Sequence, residues 1–235
     1  MKGLDTYTYS CGIDLSLNHF GIVLMDIKSS KVIQWVYGTN VKKRCKREKS
    51  FYSVFINKAP KEKEQRETYK TKRMCQVLDG VCGFLADQYD IVTSLEDYAY
   101  SGVSQSMTGL AEISGCLKEW LWKEEVPFRL TDPQTLKMWV SKGGLSKREM
   151  RKAAPDFVPD DLFYEKKTKK GTDLDGPGTD VVDAYWLADI LRVEILVRMG
   201  KVALADLPQK KRDVFNRVTK QNPTNLLAHP FVWNQ

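Results

Sequence analysis

The sequence predicts an α/β fold in which helices cover a mixed β-sheet. Three short segments rich in Val, Ile, Tyr and Trp come first, at residues 7–15, 21–27 and 31–39. Helix-like and strand-like segments alternate after them. Hairpin strands followed by α/β crossovers are typical of a mixed sheet. We therefore predict five strands, three antiparallel and two parallel, in a chain of 235 residues that is long enough for one core.

The three leading strands are expected to form antiparallel hairpins, because the turn-like stretches 16–20 and 28–30 that join them are short. An amphipathic helix is predicted next, since apolar residues recur at i, i+3, i+4, i+7, i+8 and i+11. These residues are Met74, Val77, Leu78, Val81, Cys82 and Leu85. A strand at 91–96, a helix at about 104–123 and a strand at 126–131 follow.

Two short helices are predicted after the last strand. Asp132 followed by Pro133 is typical of a helix N-cap and first position, and that helix should stop at Gly143. Ser146 and Glu149 have the spacing of a capping box, which indicates that another helix begins there.

The remaining residues divide into a loop, a long helix and an extension. Residues 155–178, rich in Pro, Gly, Lys and Asp, are predicted to form a loop. A helix over about 179–199 should end at the following glycine. A basic helix is predicted near 206–219. We therefore divide the chain into a domain at 1–200 and a C-terminal extension at 201–235.

Positive charge is concentrated in one segment, at about residues 40–73. Residues 42–73 hold 13 lysines and arginines and four glutamates, a net charge of +9 against +7 for the whole chain. Aromatic residues at positions 51, 52 and 55 interrupt this charge, a mixture that favours nucleic-acid contact over a merely solvated loop. The expected DNA contacts here are Lys42, Lys43, Arg44, Lys46 and Arg47.

Composition argues against several classes of protein. No apolar run approaches the roughly 20 residues of a transmembrane helix, and the first residues lack a signal-peptide core. The five cysteines include no C-x-x-C pair, so a zinc site or a disulfide framework has little support. We expect no membrane partner and a reduced, cytoplasmic location.

Four acidic residues lie at positions where strands end or a helix begins. Asp14 follows a small and apolar stretch, Glu96 ends the strand at 91–96, and Asp180 and Asp183 share one face of the last long helix. A buried carboxylate without a partner costs several kcal/mol in effective terms. A cation shared by all four is a natural partner.

Oxygen ligands without a useful histidine favour a hard cation, so we predict Mg²⁺ at this cluster, with Mn²⁺ as a substitute. Two such ions could activate water and stabilise the leaving oxygen of a phosphodiester. Simpler interpretations stay open for single residues. Asp14 would also suit a turn, Glu96 a polar strand end, and Asp180 a helix start. Neither His19 nor His229 is assigned a role.

The ordered motifs resemble those of RuvC-like Holliday junction resolvases, which belong to the RNase H-like superfamily. The stretch GIDLSLNHFGIVLMD is similar to the first strand pair of that family, and SLEDYAY to its second motif. TDPQTLKMWVSKGGLSKREM resembles its lysine-bearing helices, and DVVDAYWLADI its last motif. The resemblance covers about residues 8–195.

This resemblance implies a function and several roles. It implies an RNase H-like fold and a crossover junction endodeoxyribonuclease with Asp14, Glu96, Asp180 and Asp183 as metal ligands. Lys147 and Lys137 would contact the scissile phosphate or the DNA backbone, and Tyr98 and Tyr100 would stack on bases at the crossover. A homodimer with one active site for each opposed strand of branched DNA is implied as well.

The chain also departs from the family. The basic segment is longer than the usual connection, and the loop at 155–178 and the last 40 or so residues are additions. Chains with such additions resemble phage-encoded resolvases, which indicates a bacterial cell or a phage-infected host.

Three other functions are compatible with part of this pattern. Actin-like kinases share the opening motif, but they need a second lobe for which this chain is too short. A junction-binding protein that does not cut would have no need for clustered carboxylates, which repel phosphate. A nuclease of the same fold acting on flaps or RNA–DNA hybrids stays open.

Overall fold

The structure, a computed structural model, describes residues 3–16, 19–41, 48, 50–57, 66–97, 105–141, 145–168, 171–216, 227 and 231–232. Within them, a six-stranded sheet has the strand order β4-β3-β2-β1-β5-β6. Its strands are β1 (Tyr9–Leu15), β2 (Phe20–Asp26), β3 (Val32–Thr39), β4 (Phe51–Phe55), β5 (Ile91–Glu96) and β6 (Phe128–Thr131).

The sheet is mixed, as predicted. Strands β1, β2 and β3 pair antiparallel, while β5 runs parallel to β1, and β6 parallel to β5. The predicted count of five strands is wrong by one within the described residues, because β4 pairs parallel with the outer side of β3. A separate hairpin is formed by β7 (Tyr164–Thr168) and β8 (Gly171–Asp175), so the predicted loop at 155–178 is wrong there.

Helices cover both faces of the sheet. They are α1 (Arg66–Ala86), α2 (Gln105–Lys123), α3 (Pro133–Val140), α4 (Lys147–Ala153), α5 (Pro177–Arg198) and α6 (Gln209–Asn216). Helices α1 and α2 pack on one face, and α5 packs on the other, where α3, α4 and α6 surround it. Helix α1 begins eight residues before Met74, the first residue of the predicted apolar pattern.

The basic segment is partly sheet, which corrects one prediction. Phe51, one of the aromatics whose mixture with charge favoured nucleic-acid contact, is buried, and its ring stacks on Trp35 with centroids 4.3 Å apart. Tyr52 is half-buried against Phe84, so only Phe55 of the three aromatics is exposed. An aromatic ring in a charged segment can serve the core when alternate positions of a short strand face inward.

Helix α5 approaches the sheet more closely than side chains normally allow. A β-carbon on Gly12 would lie 1.9 Å from the carbonyl oxygen of Ala184, and one on Gly21 would lie 2.3 Å from the backbone of Asp180. Glycine is required at both positions because nothing larger fits. This contact fixes the first turns of α5 against the ends of β1 and β2.

Candidate active site

The acidic residues meet at the carboxyl edge of the central strands. Strands β1 and β5 are parallel neighbours in which Ile13 pairs with Leu95, so Asp14 and Glu96 follow side by side. The two carboxyl groups are close enough that hydrogen bonding with Asp14 lowers the pKa of Glu96, against the stronger effect of burial.

Helix α5 brings the other two acids to the same edge. Gly21 pairs with Asp14 across the first hairpin, and the backbone of Asp180 lies directly against Gly21. Asp183 follows one helical turn later and faces the same way. The structure therefore brings together all four acids that the sequence singled out.

Burial and mutual repulsion disfavour negative charge in this acidic cluster of Asp14, Glu96, Asp180 and Asp183. Burial, followed by repulsion from Glu96 and Asp180, raises the pKa of Asp14 well above its usual range. Burial and Asp183 raise the pKa of Glu96 to about 7. Burial also raises the pKa of Asp183 to about 6, although Lys147 opposes this. Four ionised carboxylates here would therefore carry more negative charge than the described side chains around them offset.

Lys147 supplies a cation inside the acidic cluster. It is the first residue of α4, whose start is fixed by a capping box between Ser146 and Glu149, as the sequence predicted. The Lys147 Nζ atom lies 3.8 Å from Asp180 Oδ1 and 3.7 Å from Asp183 Oδ2, and it donates to Thr179 Oγ1 at 3.1 Å. Burial would lower the pKa of the ammonium, but the carboxylates outweigh it and raise the pKa.

His19 is the site residue that sequence reasoning missed. Its Nδ1 atom contacts Asp180 Oδ2, the oxygen of that carboxylate other than the one near Lys147. Burial would lower the pKa of His19, but Asp180 raises it instead. The sequence offered one indication of this role, because His19 lies in the turn directly after the strand that carries Asp14.

No three His, Cys, Asp or Glu side chains among the described residues are arranged as a ready metal-binding group. The carboxylates of the acidic cluster are oriented toward Lys147, His19 and one another instead. This arrangement is consistent with electrostatics, because protein cations and shared protons are the partners available to the acids here.

The other predicted contacts fall in two groups. Lys137 lies exposed on α3, close enough for its charge to lower the pKa of Asp183. Residues Tyr98, Tyr100, Lys42, Lys43, Arg44, Lys46 and Arg47 lie outside the described residues.

Comparison with known proteins identifies the fold. No protein-family model matches the chain, and no curated protein matches it closely. The structure of Thermus thermophilus RuvC in complex with a Holliday junction substrate matches with a TM-score of 0.51 at 13% identity, covering 82% of this chain and 96% of that one. The fold is RNase H-like. A second structure of Thermus thermophilus RuvC matches with a TM-score of 0.44 at 14% identity, with the same coverage.

The described helices include none that is long and apolar enough to cross a membrane.

Proposed function

We propose that this chain is a divalent-cation-dependent endonuclease that resolves Holliday junctions. The observation that carries this proposal is the convergence of Asp14, Glu96, Asp180 and Asp183, which come from two strands and a helix, at one edge of the sheet. Burial of like charges at this density costs stability, so a purely structural role is a poor explanation. An RNase H-like fold that retains such a cluster fits phosphodiester hydrolysis.

The residues present fit a hard metal ion. Four carboxyl groups supply only oxygen ligands, which suits Mg²⁺ and does not suit zinc. Asp14, Glu96, Asp180 and Asp183 would hold the ion, and Mn²⁺ is expected to replace it. When bound, the ion supplies Lewis-acid stabilisation of the charge that develops on the phosphate and lowers the pKa of water.

The protein's own cations have separate tasks in this proposal. Lys147 lies between Asp180 and Asp183, where its ammonium could contact an oxygen of the scissile phosphate. Lys137 is exposed nearby and contacts the DNA backbone. His19 holds the orientation of Asp180 from the outside. Tyr98, Tyr100 and the basic residues between 42 and 47 remain proposed DNA contacts.

The substrate proposal draws on symmetry as well as on the fold. The similar RuvC structure contains a Holliday junction substrate. A four-way junction offers two opposed strands, and two copies of one chain related by a two-fold axis would cut both. We therefore propose a homodimer as the working form.

A cleavage assay tests the proposal. A labelled synthetic four-way junction would be incubated with the protein in Mg²⁺, Mn²⁺ or EDTA, beside a linear duplex, a flap and an RNA–DNA hybrid. Glu96→Gln is the matched variant, because it replaces one carboxyl group of the acidic cluster with an amide of the same size. We expect paired symmetric nicks in the junction that disappear with EDTA and with Glu96→Gln.

Other outcomes discriminate between the alternatives. Equal cutting of flaps and junctions would support the proposed chemistry with a broader range of branched substrates. Preferential cutting of the RNA–DNA hybrid would make the hybrid, and not the junction, the substrate. Tight junction binding without cutting in any divalent ion would overturn the nuclease proposal.

A further inference from the structure

A cleft opens beside the acidic cluster, where four parts of the fold meet. These parts are the turn before β2, the end of β3, the β7–β8 hairpin and the start of α5. The lining residues are His19, Thr39, Asn40, Val41, Tyr164 and Pro177. Apolar, aromatic and amide groups are therefore combined in one small surface.

The cleft is continuous with the candidate active site. His19 lines the cleft and also contacts Asp180. Pro177 opens helix α5, one turn before that aspartate. A molecule in the cleft would therefore lie next to whatever binds at the acidic cluster.

Tyr164 forms a fixed aromatic wall of this cleft. Gly176 has a φ of +108°, and a β-carbon there would lie 2.8 and 2.9 Å from two atoms of the Tyr164 ring. The ring thus packs against the glycine backbone on one side. It is still 38% exposed and lines the cleft. An aromatic ring held in this way is preorganised for stacking.

The hairpin that carries Tyr164 is also tied to Lys147. Asp173 of β8 accepts hydrogen bonds from the backbone nitrogens of Lys147 and Arg148, at 3.2 and 3.1 Å. Arg148 in turn forms an ion pair with Glu165 at 2.8 Å. The aromatic wall and the ammonium of the acidic cluster therefore belong to one connected unit.

The chemistry of the cleft suits a nucleobase better than a phosphate. The nearby carboxylates repel an isolated phosphate, whereas a base has a π-face for Tyr164 and polar edges for the amide of Asn40. Positive charge lies on the same strand as Tyr164, at Lys166, which pairs with Asp175 at 2.8 Å, and at Lys167.

We propose that this cleft binds the nucleotide next to the scissile phosphate, with its base stacked on Tyr164. This inference rests on the proposed function and adds a subsite to it. The subsite would select a nucleotide whose base is already unpaired or easily unstacked, as at a branch point. It would thereby place the neighbouring phosphate at the acidic cluster.

Fluorescence of a base analogue tests the subsite directly. Four-way junctions would each carry one 2-aminopurine at a successive position around the crossover, bound to full-length Glu96→Gln protein so that the DNA stays intact. We expect stacking on Tyr164 to quench the fluorescence at one position, and Tyr164→Leu to remove that quenching. In the otherwise unchanged protein, Tyr164→Leu should slow single-turnover cleavage about tenfold to hundredfold, as is typical of a lost base–aromatic stack.

Two matched variants separate stacking from general damage. Tyr164→Phe keeps the ring, so it should retain the quenching and cleave within about threefold of the parent. Tyr89→Leu removes a tyrosine that is 81% exposed just before β5, at the opposite edge of the sheet from the acids, and should change neither readout. A free deoxynucleoside monophosphate at millimolar concentration should not displace the junction.

Each result decides a specific point. Cleavage by the parent protein with no Tyr164-dependent quenching at any position would overturn the subsite and leave the proposed function intact. Equal loss of quenching in Tyr164→Phe and Tyr164→Leu would also overturn it. Displacement by the free nucleotide would assign the cleft to a small molecule instead of DNA. Failure of the parent protein to bind or cut any branched DNA would overturn both proposals.

Discussion

Buried acidic residues at the two ends of helix α5 differ in how well nearby positive charge balances them. Asp180 and Asp183 lie in its first turns, and Asp189 and Glu194 lie in its later turns. All four share one helix and are largely removed from water. They differ in how much positive charge the protein provides for them.

The later acids are balanced within the fold. Glu194 is fully buried and accepts from Arg198 at 2.8 Å and from two nitrogens of the Arg129 guanidinium. Asp189 accepts from Trp139 Nε1 and from Arg192, both at 2.9 Å, with Lys211 Nζ 3.5 Å away. These acids connect α5 to β6, α3 and α6.

The early acids are underbalanced. Asp180 and Asp183 share their surroundings with Asp14 and Glu96, and the protein cations in contact with them are Lys147 and His19. The comparison shows that basic side chains of this chain neutralise buried carboxylates at the end of α5 where those carboxylates connect packed elements. At the other end of the same helix, the proposed divalent cation would supply the positive charge that the described side chains do not.

The largest expected effect concerns the balanced end. Glu194→Gln removes the carboxylate that faces both Arg129 and Arg198, and breaking a buried ion pair typically costs about 3–5 kcal/mol. For a chain of this size, the melting temperature should fall by roughly 6–20 °C. Thermal unfolding followed by circular dichroism measures this change.

Glu119→Gln is the control for that prediction, because Glu119 pairs with Lys123 on the exposed face of α2. Its melting temperature should hardly move. Equal melting temperatures for the two variants would contradict the assignment of Glu194 to a structural role.

Removing a carboxylate from the acidic cluster should have the opposite effect and stabilise the metal-free protein. Folding raises the pKa of Glu96 to about 7 and that of Asp183 to about 6, so the folded chain retains protons that the unfolded chain has lost above about pH 4. The metal-free protein should therefore lose stability as the pH rises from about 4 to 7. Glu96→Gln should stabilise it at pH 8, by an amount on the order of 1–3 kcal/mol.

Denaturant unfolding in EDTA at several pH values measures both effects. Mg²⁺ should then stabilise the parent protein at pH 8 and should stabilise Glu96→Gln much less. A parent protein whose metal-free stability rises between pH 4 and 7 would show that the acids are balanced after all.

Replacing the cation inside the cluster sharpens the comparison further. Lys147→Met keeps the length of the side chain but removes the charge near Asp180 and Asp183, so the metal-free protein should lose about 1 kcal/mol of stability. The gain in melting temperature on addition of Mg²⁺ should be larger than in the parent, because the ion no longer competes with an ammonium.

Lys137→Met is the matched variant, since Lys137 is exposed and acts on Asp183 only through its charge. It should change the Mg²⁺ response far less. A Mg²⁺ response that shrinks in Lys147→Met would mean that the lysine supports the ion instead of competing with it.

His19→Ala should lower stability by a similarly small amount, about 1 kcal/mol for one hydrogen bond. Its effect on Mg²⁺ should nevertheless oppose that of Lys147→Met. His19 fixes the orientation of Asp180 through Oδ2, so its removal should weaken Mg²⁺ binding by about tenfold or more. Titration calorimetry with Mg²⁺ measures the affinity, and unchanged binding would exclude a positioning role.

The sequence was sufficient for the features that follow a regular pattern. The hairpin strands, the strand that ends at Glu96 and the helix that carries Asp180 were all predictable, because alternation and helical spacing report burial directly. The convergence of the acids was expected because a buried carboxylate without a partner is costly, and one shared cation could serve all four.

Features that depend on distant parts of the chain were missed. Strand β4 lies in a charged segment and, among the described strands, pairs with β3 alone, so no local pattern distinguishes it from a loop. The hairpin at 164–175 is equally polar, with its strands held by contacts to α4. The contact between His19 and Asp180 joins residues 161 positions apart, a separation that no sequence window covers.

The two glycines that contact α5, Gly12 and Gly21, determine how closely the helix approaches the sheet beside the acidic cluster. Gly21 lies between the backbones of Asp14 and Asp180, and the absence of its β-carbon sets how near the helix can bring one carboxylate to the other. Mg²⁺ takes oxygen ligands at about 2.0–2.1 Å, whereas Ca²⁺ takes them at about 2.3–2.6 Å. At the proposed metal site, a single methyl group on Gly21 would push the helix outward and favour the larger ion.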